Sequence, residues 1–337
     1  MKIDETLKKQ TGKKKVSRGK YTITAVIIIC VIAVYAYSVA TWKSKAPESQ
    51  KESENIIRSA TQRFNPGITD NNFKNITRLT IGESLISSVS VITELADIKP
   101  LEEFTNLEVL HIRHIIYPKK NIPKWISIAA KLGILDIDKY YALDLSPLEK
   151  LYNLRVLAFN QTSVKNIKPI SGLVNLQHLD INGTAVSDLT PIKNLKNLEY
   201  LNISRTKVTS LEPIRGLTNL QTLYTYQTPV SDIDPLKELK NLKNLYLGPI
   251  EDSNLEPIRG LTNLMYLDLS GPEIDLEVIA DLENLVWLSL SKTNVSNLEP
   301  IKKLRHLDTL LIGNCHDITD QQIEDLQKAL PNLEIQR

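Results

Sequence analysis

A repeated stretch of 22 residues constrains the fold of this 337-residue chain more than any other feature. Five consecutive copies run from residue 147 to residue 256, and each begins with a proline: Pro147, Pro169, Pro191, Pro213 and Pro235. Other units, some of them longer, shorter or less regular, begin at Pro100, Pro123, Pro257, Val278 and Pro300. Self-similarity at this period is typical of a solenoid, in which each unit contacts only its neighbours along the array.

Apolar residues recur within each unit at positions 2, 5, 8, 11, 13, 18 and 21, counted from the proline. In the first regular unit they are Leu148, Leu151, Leu154, Leu157, Phe159, Val164 and Ile167. Alternation at positions 10–13 predicts a short strand, and the spacing of three at positions 2, 5 and 8 predicts a 3₁₀ turn that the proline starts. Because one unit cannot bury seven apolar side chains alone, the units must stack.

The pattern LxxLxxLxL with this period resembles the bacterial leucine-rich repeats of the internalin type, over residues 64–337. The resemblance implies an α/β solenoid shaped as a horseshoe. A parallel β-sheet would line its concave face, with short 3₁₀ or helical segments on the convex side. It also implies a cell-surface role and a protein ligand. Within this stretch we assign an N-terminal cap to residues 64–99, the repeats to 100–312 and a C-terminal cap to 313–337.

Two polar positions of the repeat depart from the apolar pattern, and we expect both to be structural. Threonine replaces the asparagine of the family pattern at position 16, in Thr162, Thr184, Thr206, Thr228 and Thr293. Asparagine precedes position 8, in Asn153, Asn175, Asn197, Asn219, Asn241, Asn263 and Asn284. Hydroxyl and amide groups of this kind bond to nearby backbone in turns.

The two caps carry their own signals. Leu79 and Ile81 are spaced like the apolar residues of a repeat strand. At the other end, Thr319-x-x-Gln322 is a capping box, which predicts the start of a helix. Three apolar residues on one face continue that helix and Pro331 ends it; they are Ile323, Leu326 and Leu330.

The N-terminal part of the chain predicts a membrane anchor. Residues 21–40 contain no charged side chain, and about 20 apolar residues span a hydrocarbon core of roughly 30 Å. Eight Lys and Arg precede this segment, so the positive-inside rule keeps tail 1–20 in the cytoplasm and exports the rest beyond a polar stalk, 41–63. The alternative is a cleaved signal peptide ending at Ser38-Val39-Ala40, which would release a secreted protein.

Composition narrows the classes of function. The chain has a formal charge of +2, but the basic excess lies in the first 20 residues, so we expect no nucleic-acid partner. Two cysteines cannot form a disulfide framework. The sequence has no GxSxG, Walker loop, HExxH or CxxC motif, so we predict no catalytic residues and no cofactor. The side chains of three residues are of types that ligate metals: His111, Asp136 and Asp138. We interpret them as solvated polar residues and predict no metal site.

Positions 10, 12 and 14 point out of the predicted sheet, so their identities report on function rather than on the core. Aromatic residues gather there on five consecutive strands: Tyr200, Tyr224, Tyr226, Tyr246, Tyr266 and Trp287. Together with His178 and Asp268 they form the predicted partner-binding set. Exposed aromatics with polar neighbours are characteristic of interface hot spots.

These observations predict a non-catalytic protein that holds a protein partner in its concave face. Two alternatives stay open at this stage: a glycan-binding surface module, since aromatic platforms also stack on sugars, and a structural protein of the cell envelope. Five Asn-x-Ser/Thr triplets occur, and three of them would place glycans on the concave face, which favours a bacterial source.

Overall fold

The computed structural model describes residues 78–81, 102, 105–112, 143–249, 254–271 and 274–337. Eleven short strands occur in these segments. They are β1 (Arg78–Ile81), β2 (Val109–Ile112), β3 (Val156–Ala158), β4 (His178–Asp180), β5 (Tyr200–Asn202), β6 (Thr222–Tyr224), β7 (Asn244–Tyr246), β8 (Tyr266–Asp268), β9 (Trp287–Ser289), β10 (Thr309–Leu311) and β11 (Glu334–Gln336).

All eleven strands belong to one parallel sheet, in which sequence order and spatial order are the same. From β3 to β10 the Cα partners are residues at the same repeat position, as with Leu201 and Leu223. The ladder therefore advances by one repeat per strand. This register confirms the predicted solenoid, because only a stack of like units pairs position 11 with position 11 throughout.

A 3₁₀ turn returns the chain toward each next strand. These turns are Ser146–Leu148, Lys168–Gly172, Thr190–Ile192, Glu212–Ile214, Asp234–Glu238, Glu256–Ile258, Leu276–Val278 and Glu299–Lys303. The N–H of the first residue in each turn that contains the repeat proline donates to a polar side chain two residues earlier in the sequence. For example, the Thr190 N–H donates to Asp188 Oδ1 at 2.8 Å. The unit that lacks the proline starts its turn in another way, because the Asp275 side chain caps the Glu277 N–H.

The apolar positions of the repeat form one continuous core. In the unit that begins at Pro191, the side chains at positions 2, 5, 8, 11, 13, 18 and 21 are Ile192, Leu195, Leu198, Leu201, Ile203, Val208 and Leu211, and each is fully buried. Burying such a side chain stabilises the fold by about 1.5–3 kcal/mol. Every unit depends on its neighbours for this burial.

The two polar positions of the repeat are structural, as the sequence predicts. Each threonine hydroxyl donates to the backbone carbonyl three residues earlier; for Thr206 and Ile203 O the distance is 2.6 Å. Each asparagine Nδ2 donates to a carbonyl of the preceding unit; for Asn219 and Lys196 O it is 2.9 Å. The threonines close the turn after the strand inside one unit, whereas the asparagines join consecutive units.

One predicted position in the strand order is wrong. The repeat pattern places a strand at Ile134–Asp136, between β2 and β3, but β2 pairs directly with β3 through Val109 and Val156. The N–H groups of Arg155 and Val156 both donate to Glu108 O, so β3 already occupies the edge that the extra strand would need. Residues 113–142 lie outside the described part of the chain.

The C-terminal helix, α1 (Asp320–Ala329), begins at the predicted capping box, in which Thr319 and Gln322 bond each other's backbone N–H. Leu326 and Leu330 are buried. Strand β11 then joins β10, which adds a final rung to the sheet. Within the described segments no helix has the length and apolar character needed to cross a bilayer. The predicted span, 21–40, lies outside those segments.

We predict that Thr206→Val lowers the free energy of unfolding by about 1–3 kcal/mol, because the buried Ile203 carbonyl loses its donor while the side-chain shape is kept. The midpoint of urea denaturation measures the change. Thr209→Val, at an exposed position of the same unit, is the matched control and changes stability by less than about 0.5 kcal/mol. Equal effects of the two substitutions would contradict a structural role for the position-16 threonine.

Candidate functional site

The side chains at positions 10, 12 and 14 lie on the sheet face opposite the leucine core; we call this the open sheet face. Five rings on it form a continuous chain of contacts, which we call the aromatic ladder: His178, Tyr200, Tyr224, Tyr246 and Trp287. The ladder crosses the sheet from β4 to β9.

Strand register sets the geometry of each contact. His178 and Tyr200 are Cα partners on β4 and β5, and their rings stack at 3.8 Å and 7°. Tyr224 and Tyr246 are partners on β6 and β7, and their rings stack at 4.2 Å and 5°. In these two pairs the rings are parallel, because neighbouring strands lie about 4.8 Å apart, which is close to the separation of two stacked rings.

The other two contacts are oblique. Tyr200 lies at position 10 and Tyr224 at position 12, and their ring centroids are 5.6 Å apart at 46°. Tyr246 and Trp287 are separated by a whole strand, β8, and their centroids are 6.4 Å apart at 47°. Tilted pairs at such distances are favourable for aromatic rings, so the ladder keeps its contacts where the residue position changes.

Tyr226, Tyr266 and Asp268 lie beside the ladder. The Tyr226 hydroxyl donates to Asp268 Oδ2 at 3.1 Å. Burial raises the pKa of the Asp268 carboxyl and the pKa of the Tyr226 phenol. Tyr266 is 39% exposed and lies outside the ladder contacts. Five of the eight predicted residues thus form the ladder, and the other three border it around Asp268.

Sequence reasoning missed one residue of this region, Met265. It is 38% exposed at position 9, just before Tyr266, and its carbonyl accepts from the Val286 N–H at 2.9 Å. An apolar residue here departs from the polar residues that fill position 9 in the preceding five units, namely Arg155, Gln177, Glu199, Gln221 and Lys243. That departure was the available signal for an exposed apolar residue directly before Tyr266 in the sequence.

The ladder is uncharged at neutral pH. Burial raises the pKa of Tyr200 to about 12 and that of Tyr246 to about 12, so both phenols keep their protons. Burial also lowers the pKa of His178 from its usual value of 6.5, an effect that exceeds the opposing field of Asp180. The face therefore presents neutral rings and phenol hydroxyls.

The polar groups near the first half of the ladder are engaged by the chain itself. Asp180 accepts from Asn160 Nδ2 at 2.6 Å and from the Asn182 N–H at 3.0 Å. Asn202 accepts from the Ser204 N–H at 3.0 Å. These bonds hold the turn after each strand, which leaves these side chains less able to bind the hydroxyls of a sugar.

Of the three residues considered for a metal, the structure describes His111. The strand partner of His111 is Ala158, whereas the sequence had placed Asp136 on the adjacent strand; Asp136 and Asp138 themselves lie outside the described residues. Across the described part of the chain, no group of three or more His, Cys, Asp or Glu is arranged to hold a metal ion.

Comparison with known proteins agrees with this architecture. A family model for a leucine-rich repeat region matches residues 87–249. Internalin C2 from Listeria monocytogenes has a similar structure, with a TM-score of 0.55 and 25% identity, covering 71% of this chain and 92% of that one. The internalin InlF from the same organism is similar with a TM-score of 0.50 and 20% identity, covering 85% and 87%. The described repeats therefore have the leucine-rich repeat fold and are similar to those of the bacterial internalins.

The comparison with curated protein sequences gave no match. The aromatic ladder is defined by its own ring contacts. The repeat explains why each unit projects one residue at position 10 and one at position 12. It does not explain why so many of these residues are aromatic.

We predict that the His178 ring titrates with a midpoint below 6.5, because burial against Tyr200 disfavours the imidazolium. The unfolded chain then binds more protons than the folded chain, so this contribution to stability is complete above pH 6.5 and is lost as the pH falls. NMR titration of the imidazole protons measures the midpoint. Tyr200→Ala should move it back toward 6.5, and an unchanged midpoint in that variant would contradict burial as the cause.

Proposed function

We propose that this protein is a non-catalytic recognition module that holds a protein partner against its open sheet face. The contact surface consists of the aromatic ladder with Tyr226, Tyr266, Met265 and Asp268. The observation that carries this proposal is the unbroken run of five contacting rings across strands β4 to β9.

Three physical arguments support the proposal. The rings are fixed by strand register and by one another, so binding a partner orders few side chains and loses little entropy. The leucine core lies on the other face, so the solenoid does not need aromatic residues at positions 10 and 12. Tyrosine and tryptophan are also the residues that most often dominate binding energy at protein interfaces.

The membrane anchor belongs to the same proposal. Residues 21–40 would hold the protein in a bilayer with the N-terminus in the cytoplasm, and the repeats would face outward beyond the stalk at 41–63. Protease treatment of intact cells tests this topology. Cleavage of the repeats with retention of the first 20 residues is the expected result, and full protection of the repeats would contradict it.

We predict that replacing Tyr200, Tyr224, Tyr246 and Trp287 together by alanine abolishes capture of the partner while the solenoid stays folded. The variant loses four ring contacts, each worth about 0.5–1.5 kcal/mol, but no residue of the leucine core. Cross-linking on cells followed by quantitative mass spectrometry measures capture, and circular dichroism checks the fold.

Tyr152→Ala is the matched control for this variant. Tyr152 is a tyrosine with 55% exposure at position 6, away from the open sheet face, so capture should be unchanged. Retention of the same partners by the quadruple variant would contradict the site. A signal on a glycan array that depends on Tyr224 and Tyr246 would instead favour a sugar ligand.

A further inference from the structure

Among the described residues, Asp268 is a half-buried carboxylate without a cationic partner. Its side-chain hydrogen bonds come from the neutral hydroxyls of Tyr226 and Ser289, and no Lys or Arg in the described segments lies within ion-pair distance of it. The neighbouring stretches 250–253 and 272–273 contain no Lys or Arg in their sequence either. Removing a charged carboxylate from water without a cationic partner is unfavourable. Asp268 therefore has a desolvation cost that the fold itself does not offset.

Several carboxylates elsewhere in the solenoid have cationic partners. Around the 3₁₀ turns, Arg215 pairs with Glu212 at 2.8 Å and with Asp234 of the next turn at 3.0 Å. Arg259 pairs with Glu256 at 2.7 Å in the same way. The repeat can therefore place an arginine beside a carboxylate, and it does so away from the open sheet face.

From β3 to β11 the open sheet face is free of positive side chains. From β3 to β11, positions 10, 12 and 14 contain no Lys or Arg, and the acidic residues there are Asp180, Asp268 and Glu334. Asp180 holds the turn after its strand through bonds from Asn160 and the Asn182 N–H, and Glu334 lies on the last strand. Asp268 accepts from two neutral hydroxyls beside exposed tyrosines, so it is the carboxylate on this face that is best placed to meet a positive group from outside.

Aromatic residues surround Asp268 on the sheet. Tyr246 is its Cα partner on β7, and Ser289 is its partner on β9. Tyr226 reaches it by a hydrogen bond, and Tyr266 lies two residues before it on the same strand face. Tyr226 is 38% exposed and Tyr266 is 39% exposed, so the ring surfaces near the carboxylate are open to a ligand.

We propose that Asp268, with Tyr226, Tyr246 and Tyr266, forms a subsite for an arginine side chain of the protein partner. This inference rests on the proposed function and names the chemistry of the bound segment. Arginine fits better than lysine, because its planar guanidinium can bond a carboxylate while its face lies on a tyrosine ring. A cationic segment also complements a sheet face that lacks positive charge.

A matched pair of blocked pentapeptides tests the subsite: Gly-Ser-Arg-Gly-Ser and the same peptide with citrulline, which keeps the shape and removes the charge. The purified full-length chain carries Trp42→Phe and Trp125→Phe, so that Trp287, next to Tyr246, reports binding by fluorescence. We expect a saturable response to the arginine peptide with a dissociation constant of about 1–10 mM, and binding of the citrulline peptide at least about fivefold weaker.

Three variants assign the effect to Asp268. Asp268→Asn keeps an acceptor for Tyr226 and should weaken binding of the arginine peptide by about fivefold, whereas Asp308→Asn, at an exposed carboxylate before β10, should leave it unchanged. Tyr226→Phe frees Oδ2 and should leave binding equal or tighter. Equal binding of the two peptides, no response to either, or full binding by Asp268→Asn would each overturn the inference.

The outcomes separate this inference from the proposed function. If the arginine peptide fails but the aromatic ladder is still required for partner capture, the subsite is wrong and the recognition surface stands. If the quadruple alanine variant keeps its partners, the recognition surface is wrong, whatever the peptides show.

Discussion

The structure depends on the contact between one repeat and the next. A single unit has too few atoms to enclose its seven apolar side chains, so burial occurs only when units stack in register. The parallel strand ladder, the threonine-closed turns and the asparagine bonds between units all enforce the same step of one unit per strand. Stability and register are consequently one property here, because a slipped unit would expose its leucines and break its asparagine bond together.

The advance of one repeat per strand also sets the geometry of the candidate site. A side chain at position 10 or 12 has a neighbour at the equivalent position one strand away, which is close to the spacing at which flat rings stack. Tyr224 and Tyr246 therefore stack as a consequence of register, and no specialised loop is required. The proposed recognition surface is built from residues that face away from the core and that the core does not constrain. The ladder lies directly on strands whose other face packs in that core.

Periodicity in the sequence was sufficient for strands β1 to β10, the 3₁₀ turns, the core positions and the face on which the aromatic residues lie. It wrongly placed Ile134–Asp136 between β2 and β3, because an apolar pattern does not show which edge β2 offers to its partner. It also could not show that the ladder passes obliquely from Tyr200 to Tyr224, or that Tyr226 reaches Asp268, since side-chain direction across strands depends on packing. Met265 was not predicted because it lies at position 9, outside the outward-facing positions 10, 12 and 14.

Distances between spin labels on one edge of the array test the stacking most directly. Val174, Thr262 and Arg305 occupy position 6 of three units and are exposed. With Cys30 and Cys315 replaced, double electron–electron resonance should give about 19 Å between labels four units apart, at 174 and 262, and about 29 Å for six units, at 174 and 305, at about 4.8 Å per strand. Separations that do not grow with the number of intervening units would contradict a register of one strand per repeat.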